Sequence, residues 1–325
     1  MATRVSDYDL QVYEREILPH LPPEVVDAHV LLGLREHFRE VPSGEGEAPE
    51  LGVRHHLTFQ GLFSNFRQIL RYRRRRFVVL PFPYREVDAR AANLYVAGGT
   101  SRKSLRALVM LDEDGVAGVG RLLETPGVVG VVARMGPALG ALARGEFDDA
   151  LALLAQSGGV LMLFPSGRGV ADEGNVEAVL SIASRHPSLR IVLAKAGGAL
   201  CPGAAERVVP KFVKVANVHF DTAFVTSHKV LEILLSLVGP GRVIFGSGAP
   251  YSFYRGYVAC PGGYSKLVIL GRGGERHIPR SRWDTLLIYN VLRAIFRAAR
   301  ACRIGAEGLS AVLCDNAKRV YFGAG

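Results

Sequence analysis

Eight apolar runs of strand length, each bounded by turn residues, constrain this sequence more than any other feature. They are Val25–His29, Phe77–Phe82, Ala107–Leu111, Val128–Ala133, Val160–Phe164, Ile191–Ala194, Val218–Asp221 and Val243–Gly246. Segments with helical spacing lie between them, at Leu62–Arg73, Glu86–Tyr95, Gly115–Leu123, Ala138–Gln156, Asn175–Arg185, Ala204–Val213 and Ser227–Val238. Strand then helix, repeated, is the pattern of a parallel sheet with crossover helices. The runs are continuously apolar rather than alternating, as in strands covered on both faces. An eightfold count predicts an α/β fold of the closed (β/α)8 barrel type over an open doubly wound sheet. With 325 residues, 49% of them apolar and 22% charged, the chain can bury one such core. No Ser/Pro linker interrupts it, so residues 1–325 read as one domain. Its parts are an N-terminal extension over 1–24, an insertion over 251–282 and C-terminal helices over 283–325, at Trp283–Cys302 and Gly308–Tyr321.

Two stretches exceed the bare repeat. Phe38–Gln60 follows the first strand and Tyr251–Arg282 the eighth, both at the carboxyl end where barrels build their sites. The second carries Tyr251, Phe253, Tyr254, Tyr257 and Tyr264, which either cover the mouth as a lid or form a homo-oligomer interface. The net charge is +10, with a run at Arg71–Arg76. Only Tyr72 interleaves it, so it reads as a solvated helix end before Phe77–Leu80, and nucleic acid is not an expected partner. No apolar stretch reaches the roughly 18 residues of a bilayer span and no signal peptide opens the chain, which predicts a soluble cytoplasmic protein with no membrane partner. The four cysteines, Cys201, Cys260, Cys302 and Cys314, form no CxxC pair and read as reduced and mostly buried.

The strand ends carry a set of motifs in a fixed order. Val26-Asp27-Ala28-His29 resembles the first-strand D-x-H-x-H of the metal-dependent amidohydrolases. Gly127–Val131 is similar to that family's fourth strand and Gly158–Gly167 to its fifth, while His186–Gly198 resembles the segment that ends in H-x-G-G. Val218–Thr222 is similar to the seventh strand, Arg242–Pro250 to the eighth-strand F-G-S-D-x-P and Cys314–Tyr321 to the closing N-A helix. The resemblance runs from about Val25 to the end, and its subgroup holds decarboxylases, lactonases and hydrolases. It implies the barrel fold and a divalent metal held by imidazoles and a carboxylate.

The ligand positions implied by the resemblance are mostly replaced. His29 remains, but Leu31 stands at the second histidine, Phe164 at the fifth-strand histidine, Lys195 at the sixth-strand histidine and Gly248 at the aspartate. A catalytic zinc needs three protein ligands, and the Lys195 ammonium would repel a cation. We therefore expect no metal here and no cofactor. Gly248 also removes the family's usual general base. His37, His55, His56, His219, His228 and His277 are the side chains from which a relocated metal site could be built. His55-His56 reads as a polar loop and His186 as structural.

What remains at the predicted mouth is cationic. Lys195, Arg134, Arg168 and Arg255 suit a small anionic ligand, a carboxylate or phosphate. His219, two residues before Asp221, faces either the mouth or the core. Gly167-Arg168-Gly169 and Gly197-Gly198 lack the spacing of phosphate loops, and Ser166 and Ser247 lack a triad. Two functional readings follow. One is a non-catalytic or metal-independent relative that binds an anion, with Lys195 as a charge paired to Asp27 or Asp221. The other is an active hydrolase or decarboxylase that uses Lys195, His29 and Asp221, or a relocated metal, with a desolvated Lys195 able to form a Schiff base.

Overall fold

The computed structural model describes residues 5–39, 56–111, 120–167, 169–271 and 279–323. The strands are β1 (Glu24–Leu32), β2 (Arg74–Pro81), β3 (Leu105–Met110), β4 (Val128–Arg134), β5 (Val160–Phe164), β6 (Arg190–Leu193), β7 (Val218–Asp221) and β8 (Val243–Ile244). They pair in sequence order, all parallel, as one eight-stranded sheet. Backbone bonds from β1 to the segment after β8 close the ring: Ala28 N to Phe245 O at 2.9 Å, Leu31 N to Ala249 O at 2.8 Å and Gly248 N to His29 O at 3.0 Å. The predicted (β/α)8 barrel is thus the observed fold.

The continuous apolar strands serve two cores. Val25, Phe77, Val79, Leu161, Leu163, Ile191, Val218 and Phe220 pack outward with the helices. Val26, Val78, Leu80, Leu108, Val132, Met162, Val192 and Ile244 fill the interior. His219 and Asp221 alternate with Val218 and Phe220, so both point inward and put polar groups of β7 into an otherwise apolar interior.

The crossover helices are α1 (Asp7–Val12), α2 (Phe59–Ile69), α3 (Ala89–Gly98), α4 (Pro137–Ala143), α5 (Asp148–Gln156), α6 (Glu173–Arg185), α7 (Pro202–Val208), α8 (His228–Leu237), α9 (Leu287–Ala301) and α10 (Ala306–Ser310), of which α1, α9 and α10 flank the repeat. Thr58 caps α2, its hydroxyl accepting from Gly61 N at 3.0 Å, so that helix begins before the predicted Leu62. The single helix expected over Ala138–Gln156 is two, broken at Arg144–Phe147 where Gly145 takes φ +83°. After β8, β9 (Arg255–Ala259) and β10 (Lys266–Gly271) form an antiparallel hairpin.

One expectation is corrected outright. Cys201, at the start of α7, and Cys260, at the end of β9, form a disulfide, so two of the four cysteines are not reduced. The partners are 59 residues apart, and only the fold brings the hairpin over the loop after β6. Cys302 and Cys314 are free.

Candidate functional site

Strand β1 delivers Asp27 and His29 to the carboxyl end of the barrel, and β7 delivers Asp221 beside them. His29 Nδ1 lies 2.7 Å from Asp221 Oδ2, with both side chains fully buried. A carboxylate only accepts, so Nδ1 is the nitrogen that carries the proton toward Asp221, and in the neutral ring Nε2 is the acceptor. That Nε2 has no partner among the described residues. The second oxygen of Asp221 accepts from the backbone nitrogens of Lys195, at 2.7 Å, and Ala223, at 2.9 Å. One carboxylate therefore orients the imidazole and fixes the loop after β6.

That loop is bent hard. Lys195, Ala196 and Gly197 all take left-handed φ, at 54°, 51° and 68°, which costs about 1–2 kcal/mol for each of the two residues that carry a Cβ. The bend brings the Lys195 ammonium over the ring of Phe164, 4.1 Å from its centroid, and over that of Phe224, at 4.9 Å. Burial pushes the Lys195 amine down to about 8, against the opposing pull of Asp221. Its partners in this structure are aromatic faces; it makes no ion pair with Asp27 or Asp221.

Asp27 faces the chain after β8. Its Oδ1 accepts from Ser247 N at 2.8 Å and His29 N at 3.2 Å, while Oδ2 is buried without a partner among the described residues. Burial raises its carboxyl to about 6, although hydrogen bonds from Ser247 and His29 oppose the shift. Above this cluster lies an aromatic roof. Tyr84 and Tyr251 are joined hydroxyl to hydroxyl at 3.2 Å, and Tyr251 packs on Phe82 and Phe224. Tyr251 and Phe253 are buried within the chain itself, while Tyr264 on the hairpin turn is exposed. Phe224, Ser247, Tyr84 and Tyr251 thus form part of the mouth. Only Tyr251 carried a sequence signal as a lid residue; Phe224 follows β7 at φ 64°, a geometry no spacing announces.

The cationic positions disperse. Arg255 is buried and its guanidinium pairs with Asp9 of α1, which also accepts from the Thr285 hydroxyl at 2.8 Å. It ties the N-terminal helix to the hairpin and does not join Lys195. Arg134 ends β4, half-buried, near enough for its charge to act on Tyr84. Arg168, His55 and His277 lie outside the described residues. His219 sits at the opposite end of the barrel from Lys195, where burial and the charges of Arg319, Arg242 and Arg190 push its imidazole down to about 4. His37 accepts from Leu34 N, His186 pairs with Asp148 at 2.9 Å and His228 stands near Glu232 on α8.

A cavity of about 290 Å³ opens on the same end of the barrel. Gly167 from the loop after β5, Gly198 and Cys201 from the loop after β6, Arg207 of α7 and Tyr264 of the hairpin turn line it.

A closed parallel barrel with its polar cluster at the carboxyl ends of the strands is the architecture of the barrel enzymes. The chain belongs to the amidohydrolase family, whose sequence profile matches residues 37–323. Its fold is similar to that of an amidohydrolase from Burkholderia multivorans, at 15% identity and a TM-score of 0.62 over 92% of this chain and 99% of that one. It is also similar to 5-carboxyvanillate decarboxylase from Sphingomonas paucimobilis (13% identity, TM-score 0.59, 93% and 99% covered) and to 2,6-dihydroxybenzoate decarboxylase from Rhizobium (14%, 0.58, 93% and 99%). No curated protein sequence matches.

The family's metal does not fit the residues present. Among the described residues no three His, Cys, Asp or Glu side chains gather to hold a metal ion. Gly248 adopts φ +77°, and a Cβ there would lie 2.4 Å from the Phe224 ring. The volume an aspartate needs is filled by Phe224, while Leu31 and Phe164 pack in the apolar interior.

Proposed function

We propose that this chain is a metal-independent amidohydrolase relative whose barrel mouth holds a small organic anion at the Lys195 ammonium. The observation that carries the reading is that ammonium, held over two ring faces without an ion-pair partner among the described residues. A buried cation in that state is stabilised by an anion that brings its own charge. Arg134 at the end of β4 supplies the second positive group at this end of the barrel. Tyr264, exposed on the hairpin turn, is the residue on which a homo-oligomer contact would be sought by sedimentation. The disulfide fits an oxidising compartment better than the cytoplasm expected from the sequence, and counting free thiols in protein taken directly from cells decides between them.

Calorimetric titration with malonate, acetate and inorganic phosphate tests the reading. Binding weakened at least tenfold in Lys195→Met, with the fold intact by circular dichroism, is the expected result. Equal affinity in both proteins would overturn it. A second reading, turnover of the bound acid as in a hydrolase or decarboxylase, is favoured by the His29–Asp221 pair, which leaves one imidazole nitrogen free to move a proton.

A further inference from the structure

We infer that Lys195 is an amine nucleophile that condenses with the carbonyl of a small 2-oxo acid to form an imine, with His29 carrying the proton. The inference rests on the anion-binding reading and names its ligand class: a molecule with a carboxylate for the cationic mouth and a ketone beside it for the amine.

Three features of the geometry lead there. The first is that one carboxylate, Asp221, fixes both partners of the reaction, since its Oδ2 orients the His29 ring and its Oδ1 accepts from the Lys195 backbone. The second is that the amine rests on hydrocarbon faces. A structural lysine gains most from a carboxylate, whereas an ammonium stacked on Phe164 and Phe224 is desolvated without being locked in its charged form, as a nucleophile requires. The strain of two consecutive left-handed residues serves to place the side chain there. The third is a neighbouring cavity: Gly198, three residues beyond Lys195, and Gly167, three beyond Phe164, line the 290 Å³ space with Arg207 on its wall, while Lys195 and His29 themselves lie behind these loops and do not line it. That volume suits a molecule of a few carbon atoms. Glycine is required to hold the two loops together: Gly169 sits at φ +55°, and a Cβ there would lie 2.1 Å from the Gly197 carbonyl oxygen.

The step balances. The Lys195 ammonium gives one proton to His29 Nε2, and the free amine adds to the ketone carbon, breaking the C=O π bond. The carbinolamine nitrogen passes a proton to its oxygen. His29 then returns its proton to the departing hydroxyl, which leaves as water, and the remaining N–H becomes the protonated imine. No oxidant or metal is consumed. A protonated imine draws electrons from the carbon that bears the carboxylate, so the class of reaction that follows is decarboxylation or carbon–carbon bond cleavage next to the former carbonyl.

The test uses pyruvate with cyanoborohydride on the intact protein. The expected result is one reduced pyruvyl adduct per chain, mapped to the peptide that carries Lys195, absent in Lys195→Arg and formed more slowly in His29→Asn. Lys195→Arg keeps the charge, so it still binds pyruvate in calorimetry. If wild-type protein binds pyruvate but gains no adduct, the imine is refuted while the anion site stands; if it neither binds nor reacts, both fail. Adducts spread over surface lysines at the same rate as Lys195 would also overturn the inference.

Discussion

The two ends of the barrel hold their charged groups in different ways. At the amino ends of the strands, guanidinium groups are consumed by backbone carbonyls. Arg75 donates to Phe66 O and Leu70 O at 3.1 and 2.7 Å, Arg190 to Gly158 O and Val320 O at 2.9 and 3.0 Å, and Arg242 to Val238 O, Phe212 O and Val215 O at 3.1, 2.9 and 2.7 Å. These carbonyls end helices or precede strands, where the chain's own donors run out and a cation also favours the helix dipole. At the carboxyl ends the His29 imidazole and the Asp27 carboxylate each leave a buried atom without a partner among the described residues, as His219 Nδ1 does at the amino ends. An unpaired buried atom therefore does not by itself separate the two ends; what sets the mouth apart is that His29 and Asp27 stand with the Lys195 ammonium, which rests on the rings of Phe164 and Phe224.

The largest effect lies at the carboxyl end, at the covalent tie between the loop after β6 and the hairpin. Replacing Cys201 and Cys260 by serine releases a loop of 59 residues and should lower stability by about 4 kcal/mol on loop entropy. Urea unfolding with and without reductant reads it, and an unchanged midpoint would mean that the bond does not form in solution. Next comes Arg242→Ala, which strands carbonyls from two segments. Roughly 3 kcal/mol should be lost with anion binding at Lys195 unaltered. A loss of binding without a loss of stability would reverse the assignment of the two ends.

How much of this was legible beforehand follows the same division. Strands β4, β5 and β7 begin on the residue at which their apolar runs begin, because burial on both faces leaves no polar residue to blur the boundary. The Arg71–Arg76 run is not the solvated helix end expected: α2 stops at Ile69, Arg74 already begins β2, and Arg73, Arg75 and Arg76 each bond to the fold, while Tyr72 and Arg74 are exposed. The site was half legible. His29, Lys195 and Asp221 follow from their places at strand ends, and the structure brings these three together. Arg255 and His219 were not separable from them in sequence, since each also lies near a strand end; the Asp9 partner of Arg255 is 246 residues away, and whether an inward residue of a short strand stands high or low in the barrel depends on register. Phe224 escaped because it acts by filling the space that a glycine elsewhere vacates.

Smaller effects sharpen the picture through pH. The Lys195 amine, near 8 in the folded chain against an ordinary 10.5, binds fewer protons folded than unfolded across that interval, so stability should rise with pH between about 8 and 10.5. From pH 7 to pH 9 the gain is about 1.4 kcal/mol, and it should vanish in Lys195→Met while the disulfide and Arg242 effects persist. Asp27 acts at the other side of neutrality. Its raised carboxyl makes the folded chain hold a proton that the unfolded chain has released between about 6 and 3.8, so its cost is full above 6 and relieved as the pH falls through that window. Asp27→Asn should flatten the acid side of the stability profile alone.

Least of all should come from Arg319→Ala. Its exposed guanidinium donates to Gly241 O at 2.7 Å and to Asn316 Oδ1 at 2.9 Å; water replaces the first bond on an open surface, so stability should fall by only about 1 kcal/mol. Its charge nevertheless reaches the buried His219 and helps hold that imidazole down near 4. Removing it should move the His219 titration upward, visible in the imidazole carbon-bound proton shifts by NMR, with no change at the mouth. An upward shift accompanied by altered pyruvate binding would show that the two ends communicate through β7, where His219 and Asp221 share one face. A shift confined to His219 would leave the base as scaffold and the mouth as the place where the chemistry is sought.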